Sequence, residues 1–196
     1  MHFKNFTIKK FFNDALEFSL SEKQSYILSY PVFLNYFKNI DHIKKEHFVF
    51  ASHAVYGWMP TILNLKLHEI DKSLSILNFA KNNDDPINKK DLRHLKSCVN
   101  NSIVGVSKLL HFINPSTYAI WDSRIFRYLT KKKSQYGLNE PDLYLTYLEC
   151  INIICKDPSF PKVYSLVTDQ VGYPISQFRA TELVMFETDR KNQLSA

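Results

Sequence analysis

Glycine is scarce in this chain, four in 196 residues, and proline little commoner at eight. With no low-complexity or uniformly charged segment, extensive disorder is excluded. The three cysteines, Cys98, Cys150 and Cys155, are odd in number and form no CxxC pair, so neither a disulfide framework nor a zinc knuckle is expected. Seven histidines include no HExxH pair and no repeated ligand spacing, and neither a metal nor a cofactor is expected. Long apolar runs are also missing. The stretch Tyr144 to Cys155 is broken by Thr, Glu and Asn and falls short of the roughly 20 residues that a bilayer span needs. The amino terminus, MHFKNFTIKK, lacks the apolar core and cleavage site of a secretory signal, so a cytoplasmic protein with no membrane partner is expected.

What is present suits a packed fold. Hydrophobic residues make up 45% of the chain, enough for one helical domain with a full core, or for two small lobes around a cleft. The net charge of +6 is unevenly spread. Residues 1–133 hold 20 Lys+Arg against 11 Asp+Glu, whereas residues 134–196 hold 5 against 8. A basic portion of this kind fits a polyanionic partner, and equally a cytoplasmic protein with none.

Apolar residues recur at three and four positions, and alternating β-branched runs are few, which predicts an all-α, multi-helix orthogonal array. Thr7 opens a helix to about Leu20, and Ser21 a second that Pro31 interrupts or restarts. Asp41 precedes a helix through about Tyr56, which GWMPTIL (Gly57 to Leu63) ends, and Asp71 caps one to about Asn82. The polar NNDDP, residues 82–86, is the expected short hinge between lobes 1–82 and 87–196. Further helices are expected over Asn88 to Cys98, Asn101 to Ile113, from Asp122, and over Pro141 to Cys155, Phe160 to Val171 and Ser176 to Glu187.

The densest chemistry lies in SKLLHFINPSTYAIWDSR, Ser107 to Arg124. On a helix, Lys108 has Val104 one turn before it and Phe112 one turn after, with Gly105 and His111 adjacent. An amine in that setting loses hydration, which lowers its pKa and raises its neutral, nucleophilic fraction. The turn NPS lets the helix led by Asp122 fold back towards Lys108. A carboxylate there can stabilise positive charge at a sugar anomeric carbon while the amine attacks it. The same spacing equally serves a helix cap at Asp122 and a lysine stem lying on apolar neighbours.

The segments NNSIVGVSKLLHF and INPSTYAIWDSRIF carry a resemblance to the helix-hairpin-helix DNA glycosylase superfamily, the 8-oxoguanine glycosylases included. Carried over, the resemblance implies Lys108 as nucleophile, Asp122 as catalytic aspartate and Gly105 at the hairpin turn that contacts DNA phosphate. It also implies a modified purine flipped from duplex DNA into a pocket, for which Trp121, Trp58, Phe112 and Phe178 are the candidate walls. Lys89, Lys90, Arg93 and Lys96 on one helix, and the run Lys131, Lys132, Lys133, are candidate phosphate contacts or solvated faces. Arg179 and Glu182 read as a local ion pair on a docking helix. Two other functions fit the same residues: an idle module that binds nucleic acid or a nucleobase, and a protein interaction module in stress or phage defence.

Overall fold

The chain was analysed as a computed structural model that describes residues 3–20, 25–58 and 61–194. Among these residues it is all-α, with ten helices and no strand. They are α1 (Ile8–Leu16), α2 (Ser25–Lys38), α3 (Lys45–Trp58), α4 (Ile70–Asn82), α5 (Lys89–Cys98), α6 (Ile103–Ile113), α7 (Ser123–Thr130), α8 (Pro141–Cys155), α9 (Phe160–Val171) and α10 (Gln177–Leu194). The expected start at Ser21, and Met59 and Pro60 of the GWMPTIL link, lie outside the described residues.

Side-chain caps set several of these boundaries. Thr7, Asn88, Ser102 and Asp122 each accept hydrogen bonds from first-turn N–H groups that have no partner within the helix. Two expected caps are displaced. α3 starts at Lys45 rather than just after Asp41, because the Lys44 N–H donates to His47 Nδ1 at 3.1 Å. Asp71 falls inside the first turn of α4, whose cap is Glu69 in the left-handed region at φ 48°.

Proline does not break α2. Pro31 has no N–H to give the carbonyl of Ile27, and the hydroxyl of Tyr173 donates to that carbonyl at 2.7 Å instead. A distant side chain therefore replaces the missing helical bond.

The helices form two groups. α6 packs against α2, α3, α4 and α5, while α10 packs against α1, α7, α8 and α9. The first helix thus joins the carboxy-terminal group, where Tyr128 donates to Asp14 at 2.6 Å and Asn5 to the Thr130 carbonyl at 3.1 Å. A single hydrophobic cluster runs through both groups, from Phe3 to Met185. The 82–86 connection is tied down: Asn114 Nδ2 donates to the carbonyls of Ala80 and Asn83, Thr117 to that of Asp84, and the Ile87 N–H to Tyr118.

The turn between α5 and α6 is made by Asn100 and Asn101, both left-handed at φ 52°, a conformation Asn tolerates better than most residues. Gly105 is not in that turn. It is the third residue of α6, where a Cβ would stand 2.3 Å from the Tyr56 hydroxyl oxygen. Its glycine lets α3 approach α6, and burial removes it from any phosphate.

Candidate active site

The segment after the NPS turn is buried, non-helical backbone, so its polar groups need partners. Three consecutive carbonyls obtain them from side chains. His111 Nδ1 donates to Tyr118, Tyr144 to Ala119 and Tyr147 to Ile120, at 2.7, 3.0 and 2.9 Å. Ser107 Oγ lies 3.2 Å from the Trp121 carbonyl and accepts the Trp121 N–H at 3.0 Å. The last pairing fixes the neighbours of Lys108 and Asp122 against one another and so sets the register of those two residues.

Ile120 and Asp122 face a cavity, while Trp121 is fully buried against Phe126 and Tyr147 with its indole N–H on the Leu138 carbonyl at 2.8 Å. Trp121 is a core residue, which corrects its assignment to the pocket.

The cavity has a volume of about 140 Å³ and lies between the two helix groups. α2 contributes Tyr26, α3 Trp58, α6 Lys108, and α10 contributes Arg179, Glu182, Leu183 and Phe186. Lys108, Asp122 and Trp58 are brought together there as wall residues. Phe112 is one layer behind, edge-on to Trp58 at 5.3 Å and buried. Phe178 lines a different cavity, near Asp84, Asn88 and Leu145, because its place on α10 faces α8.

Asp122 does two jobs at once. Its Oδ1 accepts from the N–H groups of Arg124 and Ile125 at 2.9 and 3.0 Å, and Oδ2 takes no part in the cap. The Lys108 amine stands 5.5 Å from the centre of the Trp58 ring. Burial lowers its pKa, Asp122 and Glu182 raise it, Arg179 lowers it again, and the balance is downward.

The pair that sequence spacing assigned to a helix surface is instead the cavity floor. Arg179 Nη1 donates to both oxygens of Glu182 at 2.6 and 2.8 Å, and its guanidinium lies 4.6 Å from the Tyr30 ring centre. Burial opposes the charge of Arg179, but Glu182, Tyr30 and Tyr173 together more than offset this and raise its pKa. Burial pushes Glu182 upward despite the pull of Arg179, and Asp122 adds to the rise. Beneath lies His111. Its Nδ1 must carry the proton given to the Tyr118 carbonyl, so Nε2 accepts from the Tyr30 hydroxyl at 2.7 Å.

The chain matches no family model, no curated protein and no solved structure.

The basic residues do not converge on the cavity walls. Lys89 pairs with Asp142, and Lys96 donates to the Asn139 carbonyl at 2.9 Å, so both are engaged with α8 and its approach. Lys90 and Arg93 are exposed. Lys131, 4.7 Å from the Tyr128 ring centre, begins the exposed run through Lys132 and Lys133. That run follows the carboxy-terminal end of α7, about 12 Å along the helix from Asp122. No cluster of His, Cys, Asp or Glu suited to a metal occurs among the described residues.

Proposed function

We propose that the chain is an N-glycosylase that removes a modified purine from nucleic acid, with Lys108 as nucleophile and Asp122 as charge stabiliser. One observation carries this: a desolvated lysine and a carboxylate with one oxygen uncommitted among the described residues line the same cavity, whose other walls include Tyr26, Trp58 and Phe186. The volume is comparable to the ~150 Å³ that takes a benzene-sized ring, and aromatic walls suit a flat base.

In the reaction, the lone pair of the neutral Lys108 amine attacks C1′ of the sugar. The C1′–N bond breaks with its electron pair leaving on the base, which takes up a proton. The Asp122 carboxylate offsets positive charge on the sugar as that bond lengthens. The amine gives one proton to the departing base and the other to the ring oxygen as the sugar opens, which leaves an imine, the species that borohydride reduces to a stable amine.

A second reading has its own support. The Trp58 ring stabilises the charged form of Lys108, which does not attack, and a base-binding module without turnover would keep that contact. Borohydride trapping on duplex DNA containing modified purines separates the two. The parent protein forms a covalent adduct and Lys108→Ala does not, while Asp122→Asn slows base release by about 100-fold. Equal trapping by Lys108→Ala would remove the assignment, and binding without release in every variant would favour the module.

A further inference from the structure

The α10 wall of the cavity holds hydrogen-bonding capacity that cleavage through Lys108 and Asp122 does not use. A guanidinium has five N–H donors, and Arg179 gives only those of Nη1 to protein acceptors. Nε and Nη2, the two donors of its side-on fork, bond to nothing among the described residues. They are not sealed off either, since among the described residues the buried side-chain atoms without partners are Ser52 Oγ and Thr168 Oγ1. A residue with 2% of its surface exposed thus spends that exposure on the cavity it lines. An unpaired buried guanidinium edge is costly unless an acceptor arrives.

The charges around it restrict what that acceptor can be. Asp122 and Glu182 match Lys108 and Arg179 in formal charge, and outnumber Arg179 where Lys108 is neutral, so an entering anion would leave the buried site with excess negative charge. A neutral ring carrying two adjacent acceptors meets the fork without that cost. The N7 and O6 atoms of a 6-oxopurine are such a pair, and the neighbouring N1–H suits an acceptor oxygen of Glu182.

We infer that Arg179, braced by Glu182 and Tyr30, is the specificity-determining residue of the cavity and selects 6-oxopurines with an unprotonated N7, of the guanine and hypoxanthine type. A 6-aminopurine would set an N–H against the fork at position 6. An 8-oxopurine would do so at N7, so the site disfavours the base that the sequence resemblance brings to mind. This rests on the cavity being a base pocket, though not on Lys108 being a nucleophile.

The test is binding of free bases to the full chain, followed by Trp58 fluorescence. Hypoxanthine is expected to bind about ten-fold or more tightly than adenine, 8-oxoguanine or 7-deazahypoxanthine. Arg179→Lys keeps a cation beside Glu182 but loses the planar fork, and it should bind hypoxanthine and 7-deazahypoxanthine alike. Equal affinity of the parent protein for those two bases overturns the inference, and that comparison stands even if the variant does not fold. Tighter binding of inorganic phosphate than of any base also overturns it. If no purine binds at all, the base-pocket reading fails with it, whereas trapping through Lys108 with equal affinities sinks this inference alone.

Discussion

At the scale of single residues, chain proximity decided what could be read from the sequence. Lys108 and Asp122 were legible because one turn separates two short elements, and the apolar neighbours of Lys108 are its own helical neighbours. Trp121 was not, since its direction depends on the non-helical path after the turn, which leaves Ile120 and Asp122 on the cavity and Trp121 in the core. Gly105 carries a different meaning from the one its motif implied, and that meaning can be tested. Gly105→Ala gains up to about 1 kcal/mol of helix propensity, but its methyl group collides with the buried Tyr56 ring. A net loss of about 1–2 kcal/mol is expected in urea unfolding. Unchanged or higher stability would mean that α3 and α6 are not held at this spacing.

His111 offers a pH signature. Burial, then the charge of Arg179, push its imidazole from 6.5 down to about 3, with the Tyr118 carbonyl pulling the other way. Between those values the unfolded chain binds a proton that the folded chain refuses. Stability from this residue is thus complete above pH 6.5 and is lost, by about 1.4 kcal/mol per unit, as pH falls. Glu182 acts in the opposite sense, because a raised carboxyl favours the fold at low pH and loses that contribution as pH rises through about 7. The two effects overlap, so the observable is the difference between the parent and His111→Gln. That gap should narrow as pH drops from 6.5 to 4.5, and a constant gap would show that His111 titrates normally in the fold.

At the scale of elements, boundaries marked by a local cap or proline were readable, and those settled by distant partners were not. α8 and α9 begin and end where Pro141, Phe160 and their last apolar residues place them. α10 runs on to Leu194, beyond the expected Glu187, because Arg127 holds Asp189 at 2.7 Å against α7. Pro31 is the sharper case. Helix-breaking is a local rule, and the residue that suspends it, Tyr173, lies 146 positions from the Ile27 carbonyl it serves. Tyr173→Phe should therefore cost about 1 kcal/mol or more by stranding the Ile27 carbonyl. Pro31→Ala restores an N–H to that carbonyl and should recover most of the loss in the Tyr173→Phe background. Strict additivity of the two substitutions in a double-mutant cycle would contradict the exchange of partners.

At the scale of the whole molecule, the all-α class followed from periodicity, but the grouping of helices did not. Two lobes divided near residues 82–86 would put α1 with α2–α4, whereas it packs on α9 and α10. Nothing in a helical repeat says which distant helix will cover its apolar stripe. The same blindness hid the cavity floor, since the three-residue spacing of Arg179 and Glu182 looks alike on a solvated and on a buried face. The shared core and the pinned connection make a prediction about cooperativity. Trp58 reports on the wall between the groups and Trp121 on the packing of α7 against α8, so fluorescence and far-UV circular dichroism should give superimposable urea transitions. A protease specific for aspartate should leave Asp84 and Asp85 uncut in the native protein. Asn114→Ala removes two of the bonds that hold this connection and should expose it to cleavage without splitting the transition, because the core, rather than the tether, joins the two groups. Two separated transitions in the parent protein would instead mark the groups as independently folding lobes.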